Sequence, residues 1–276
     1  MALPVINLDA IREVARSDTN RQLVRYLRDT MLPVLHRLPG SARYLNDFVS
    51  MVAHAAASLG YGEGRAYTFY LTASFLLGPG WQNDPACLDI EPILAHPALD
   101  EESRLTLAMN TAIRKRQQLE TALPSMLSLM LERLPDVAEK LSLREMWDVF
   151  DATAIQRDLS VEAARACYEV YEGDYRQHAG LPPVERQTIN AYQRLGYQHM
   201  GYPMPTAVDD IRDMDQSRIA GLTIHVLLAL GYGRHYLTHP LLHDLHRTLA
   251  DAQNPRERWL GWRAFLQNHK TLLAEA

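Results

Sequence analysis

An all-α fold is predicted by three observations. Apolar residues recur at helical spacing along nearly the whole chain. No series of alternating strands separated by hairpin dipeptides is present. Ser, Asp, Gly and Pro stand where helices need to begin and end. The 276 residues are 47% hydrophobic and 22% charged, an ordinary globular balance with enough chain to bury a sizeable core. The pattern divides into about ten to twelve helices.

The elements follow in order. In RQLVRYLRDTMLPVLHRL, Leu23, Tyr26, Leu27, Met31 and Val34 share a face, and Pro33 should kink or break the helix. ARYLNDFVSMVAHAAASLG carries Leu45, Phe48, Met51, Val52 and Ala55 on one stripe and closes at Gly60, which suits a left-handed cap. EGRAYTFYLTASFLL is apolar all round and belongs in the centre of the core. Asp100 then caps an amphipathic helix, EESRLTLAMNTAIRKRQQLETAL, with acids in its first turn and basic residues toward its end, which stops before Pro124. SMLSLMLERL ends at Pro135, and two helices with Ser or Asp at their starts run through SLREMWDVFDATAI and SVEAARACYEVYEGDYRQHAG.

Gly180, Pro182 and Pro183 are the strongest punctuation in the chain and place a boundary between residues 1–178 and 184–276, two halves that still have the option of one packed domain. Beyond it come VERQTINAYQRLGYQHMG, an acidic connector, a second very apolar helix in QSRIAGLTIHVLLALG, and the helices of HPLLHDLHRTLADA and PRERWLGWRAFLQNHKTLL. Pro255 suits the first turn of the last one.

The two most apolar helices introduce an internal echo. LGPGWQNDP and LGYGRHYLTHP each join an apolar helix to a glycine turn, an aromatic, and a proline that opens the next helix. The turn residues are Gly78, Gly80, Trp81, Asp84 and Pro85 in the first copy, and Gly231, Gly233, Tyr236 and Pro240 in the second. Counted from Gly78 to Pro85 the turn spans seven positions, and from Gly231 to Pro240 nine, so the copies are similar but not identical. Arg104 falls opposite Arg258 after one gap. Glycine permits reversal at positive φ, proline presets φ for a first helical turn, Asp84 stands at an N-cap, and Trp81 or Tyr236 plugs the turn.

The helix ending in FLLGPGWQNDP, preceded by AASLGYGEGRAYTFYL, resembles a group of all-helical accessory proteins encoded in bacterial type VI secretion clusters, near spike proteins and their toxic effectors. There a Gly-x-x-Phe-x-x-Asp-Pro turn follows a hydrophobic helix, with a polar loop and an arginine later. Trp81, Asp84, Pro85 and Arg104 stand at such positions, over about residues 45 to 110, whereas the second copy departs with His239 for the acid and Tyr236 for the aromatic. The resemblance implies an adaptor or chaperone that loads a secreted effector, or an immunity protein that neutralises one. It implies no catalytic residues and no cofactor.

Charge and composition exclude other classes. A net charge of −5 with no basic run longer than Arg114–Lys115–Arg116 leaves no footprint for a phosphate backbone, so nucleic acid is not an expected partner. No run approaches the roughly 18 to 20 apolar residues of a membrane span, the N-terminus does not read as a signal peptide, and a cytoplasmic location is the expectation. Cys87 and Cys167, far apart in sequence, read as buried free thiols.

Three polar clusters could carry chemistry. His235, His239, His243 and His246 fall within about an 80° arc if the segment is continuously helical, which makes His239, His243 and His246 metal-ligand candidates and a helical metal enzyme the rival function. Pro240, however, should start a helix there, and no HExxH arrangement supplies a base. Glu169, Glu172, Asp174 and His178 read better as a polar helix face than as half of a carboxylate metal site. Asp209, Asp210 and Asp213 form an acidic run that could dock a basic protein partner, with Asp215 capping the helix that follows.

Overall fold

The computed structural model describes residues 8–40, 42–183, 191–201 and 215–275, and all regular structure among them is helical. Twelve α-helices follow in order: α1 Leu8–Thr30, α2 Leu32–Arg37, α3 Leu45–Ser58, α4 Gly64–Leu77, α5 Glu91–Leu94, α6 Glu101–Arg133, α7 Leu143–Gln156, α8 Val161–His178, α9 Ala191–Met200, α10 Gln216–Tyr232, α11 His243–Asp251 and α12 Pro255–Glu275. Short 3-10 turns join several of them. No described helix is long and apolar enough to cross a membrane.

The expected caps are in place. Asp100 Oδ1 accepts the Ser103 N–H at 2.8 Å, and Asp215 Oδ1 accepts that of Arg218 at 2.9 Å. Ser142 and Glu145 form a reciprocal capping box at α7, and Ser160 caps α8. Gly60, at φ +83°, stops α3 as the sequence suggests.

Two prolines have different outcomes. Pro33 separates α1 from α2, where it occupies the first turn and its missing N–H costs nothing. The face of α1 differs from expectation: Leu23, Val24 and Leu27 are buried, while Tyr26 points to solvent. Pro124 lies inside α6, a single helix of 33 residues where the sequence suggested a break. An interior proline costs about 3 kcal/mol. Burial of Leu123, Met126, Leu127 and Met130 on the far side offsets that cost, and the Ser128 hydroxyl closes onto the Pro124 carbonyl at 2.9 Å.

The apolar side chains gather into two cores, and these do not divide at residues 178–184. One core takes α1 to α4 and the first half of α6, through Ala108 and Ala112. The other takes the second half of α6, from Ala122 onward, together with α7, α8, α10, α11 and α12. Residues 122–178 therefore pack with the C-terminal part, and α6 runs through both cores as a shared strut. The Gly-Pro punctuation near 180 ends a helix without separating two hydrophobic units.

Each core is also completed by one residue of the other copy's turn. Ala86, from the first turn, is buried in the second core, and Leu241, from the second turn, is buried in the first. Their positions correspond in the repeat, so the exchange is reciprocal.

Candidate functional site

The two turns are built alike and cross each other. Gly78, Trp81, Asp84 and Pro85 recur 155 residues later as Gly233, Tyr236, His239 and Pro240. Gly78 ends α4 at φ +98°, ψ 156°, and Gly233 ends α10 at φ +92°, ψ 153°, a region essentially reserved for glycine. Paired 3-10 turns follow at Trp81–Asn83 and Pro85–Cys87, and at Tyr236–Thr238 and Pro240–Leu242.

This corrects the sequence register. Gly231 is the penultimate residue of α10 and takes no part in the turn, so both turns have the same length. Gly80, at φ +67°, has no glycine opposite it: His235 stands there, and a Cβ on Gly80 would collide with that imidazole.

The glycines are needed for the crossing. A methyl on Gly78 would stand 3.4 Å from the Tyr232 carbonyl oxygen, and one on Gly233 would stand 3.0 Å from that of Leu77. Shifting either contact by 155 residues yields the other, so the turns meet about a local two-fold relation. Trp81 and Tyr236 plug their own turns as expected: Trp81 packs on Phe69 and Tyr70, and Tyr236 on His225.

Asp84 does more than cap. It is 1% exposed and accepts three hydrogen bonds. The Ala86 N–H reaches Oδ1 at 3.0 Å, the Tyr171 hydroxyl reaches the same oxygen at 2.7 Å, and the Arg234 N–H reaches Oδ2 at 2.9 Å. Burial, together with the adjoining carboxylate, holds Tyr171 well above the ordinary phenol range, so it stays a donor. Arg234 adds a two-pronged pair with Asp174 at 2.7 and 2.8 Å and donates to the Asn83 carbonyl at 2.6 Å. Residues of α4's turn, α8 and α10's turn are thereby fastened at one point.

The second copy shows why the acid is not repeated. The position equivalent to Arg234 is Pro79, which has no N–H to offer. His239 stands in place of Asp84, caps its turn through Nδ1 accepting from the Leu241 N–H at 3.3 Å, and lays its ring 5.3 Å from that of Phe48. A charged acceptor is used where a backbone donor is available, and a neutral ring where it is not.

The histidines of this region are committed elsewhere. His239 is buried and neutral, His243 lies 4.5 Å from the Tyr44 ring, and His246 Nε2 is 2.6 Å from the Tyr236 carbonyl. Pro240 opens its own 3-10 turn, so the continuous helical arc of the four imidazoles does not form. Among the described residues no group of three or more His, Cys, Asp or Glu is placed to hold a metal ion. Glu172 instead pairs with Arg176 along α8 at 2.9 Å. Asp209, Asp210 and Asp213 lie outside the described residues. Cys87 and Cys167 are free and buried, and burial pushes their thiols up to about 12 and about 11.

An open concave surface lies on the first half of α6, toward the N-terminal end of α4 and away from the crossing at its C-terminal end. One groove, of about 580 Å³, runs between α4 and α6 over Phe69, Leu105 and Met109, with Arg65, Thr106 and Asn110 on its rim. A second, of about 390 Å³, lies between α5 and α6 over Ile93, Leu99 and Leu107. Asn110 lines both, and Leu107 is 46% exposed. Sequence periodicity did not single out these residues, because on one strand of helix they look like ordinary core positions.

Comparison with known proteins returns no match, whether to family models, to curated proteins or to solved structures.

Proposed function

We propose that this chain is a protein-binding accessory factor, an adaptor or chaperone that receives a short segment of a secreted bacterial effector in the setting of type VI secretion. The observation that carries the reading is the pair of open, apolar-floored grooves on the first half of α6. Their floors are apolar and their rims polar, the composition of surfaces that take a partner's side chains. The net charge of −5 and the helical turn that resembles secretion accessory proteins point the same way. No constellation of nucleophile, base and oxyanion donors accompanies the grooves among the described residues, and the histidines of the metal-enzyme reading are held by other contacts.

The test places a photo-crosslinking amino acid at Thr106, an exposed groove residue, in the native host. One exported protein should be captured, and capture should be lost when Met109→Lys is added. Deleting the gene should block export of that protein. Absence of an adduct, or an adduct indifferent to Met109→Lys, overturns the reading. Export that proceeds normally while the cell becomes open to poisoning reassigns the chain to immunity.

A further inference from the structure

The duplication places two equivalent grooves in the molecule, and one of them is filled. The α4–α6 groove corresponds to the space between α10 and α12: α4 maps onto α10 with the 155-residue shift, and the N-caps Asp100 and Asn254 align α6 with α12 one residue closer. Between α10 and α12 lies the chain's own segment 134–141, Leu-Pro-Asp-Val-Ala-Glu-Lys-Leu, with its short 3-10 turn packed on both helices. Leu134, Ala138 and Leu141 are buried there, at 3%, 4% and 1% exposure.

The filled groove shows how such a segment is held. Trp259 Nε1 donates to the Pro135 carbonyl at 3.1 Å, and Arg263 donates to the Leu134 carbonyl at 3.1 Å and to Asp136 at 2.9 Å. Gln216, at the start of α10, donates to the Ala138 and Leu141 carbonyls. Backbone carbonyls are thus met by side-chain donors while three small or branched apolar residues fill the floor.

In the open groove the corresponding residues have changed character. Leu105 stands for Trp259 and Met109 for Arg263, the counterpart of Gln216 is Tyr61, which stacks on Tyr70 and does not line the groove, and the rim has Arg65, Thr106 and Asn110 in place of Ala220, Leu260 and Ala264. The floor is apolar, and the rim carries Thr106, Asn110 and the Arg65–Glu102 ion pair at 2.5 Å. In the filled groove Asp136 is exposed and paired with Arg263 at 2.9 Å, whereas Met109 at the corresponding place offers an acid no cation.

We infer that the α4–α6 groove binds a partner protein's segment of the same build as residues 134–141, Leu-Pro followed by apolar residues at the positions of Ala138 and Leu141, with an apolar residue in place of Asp136. The assignment rests on the protein-binding reading above and specifies which chemistry that reading takes.

A fluorescent peptide of residues 133–143, RLPDVAEKLSL, and its Asp136→Val form are titrated against the full chain, whose own α10–α12 groove is already filled by the tethered copy. Both should bind saturably, the Val form about threefold tighter because its side chain packs on Met109, where Asp136 would lose the cation that Arg263 supplies. Peptides with Asp at the Leu134 and Leu141 positions should not bind. Met109→Lys should weaken binding by about tenfold or more, and the exposed Thr106→Trp, which obstructs the rim without touching the core, should do the same if Met109→Lys fails to fold.

No saturable binding, or binding unmoved by both variants, overturns the inference. The leading residues Leu3-Pro4-Val5 of this chain share the Leu-Pro-apolar pattern. Binding that appears only after residues 1–7 are removed therefore also overturns it, assigning the groove to the chain's own segment. Peptide failure with the Thr106 adduct intact discards the segment class alone, whereas loss of the adduct discards the protein-binding reading.

Discussion

The Arg234 backbone N–H donates to Asp84 Oδ2 at 2.9 Å, joining, across 150 residues of chain, two turns related by duplication. Asp84 is an N-cap in sequence terms, yet its second oxygen and the Tyr171 hydroxyl make it the fastening between the two halves.

Removing that fastening should therefore cost more than a cap. Asp84→Ala leaves three donors facing a void and should destabilise the protein by about 3 kcal/mol or more, against about 1 for an ordinary exposed cap. Tyr171→Phe removes one donor and leaves two, at about 1.5 kcal/mol. Urea unfolding of both variants checks the order, and equal losses would show that Asp84 contributes only through its bond to Tyr171.

The crossing glycines should be intolerant to different degrees. Both Gly78→Ala and Gly233→Ala place a side chain in a glycine-only backbone region, at about 1 to 3 kcal/mol each. Gly233→Ala should be the worse, because its methyl would meet a fixed carbonyl at 3.0 Å where that of Gly78 would meet one at 3.4 Å. Thermal midpoints of the two variants under identical conditions decide this, and the reverse order would contradict the crossing geometry.

Three buried imidazoles give the stability a defined acid limb. Burial lowers His225 and His269 to about 4 and His239 to about 3, against 6.5 in the unfolded chain. Between about 6.5 and about 4 the unfolded chain binds protons that the folded chain refuses, so stability falls as the pH is lowered through that window and is fully present above it. His225→Phe should reduce the slope in that range by about one proton, while loss of the His225–Tyr236 hydrogen bond shifts the curve equally at all pH values. Urea midpoints from pH 7 to 4 test this, and an unchanged slope would mean that His225 is protonated in the folded state.

Much of the architecture was legible because it rests on local rules. The apolar character of α4 and α10, the caps at Asp84, Asp100 and Asp215, the plugs Trp81 and Tyr236, and the recurrence of the turn all follow from the nature of neighbouring residues. The register of the second turn is ambiguous in LGYG because two glycines lie close together, and only the backbone shows that Gly231 is still helical. A constant spacing of 155 from Trp81, Asp84 and Pro85 carried the right answer in the sequence itself. Tyr171, Asp174 and Arg234 gave no such signal, since their partners are 60 to 150 residues away.

The sequence by itself determined the helices, their ends and the fact of two similar units, since propensity, capping and periodicity act within a few turns of chain. Only the tertiary structure decided how the units join: the turns cross, Ala86 and Leu241 trade cores, and α6 spans both. It also decided which of two equivalent grooves is filled. Burial and hydrogen bonding between distant residues depend on where the chain returns in space, and the spacing of residues along one helix carries no record of that return.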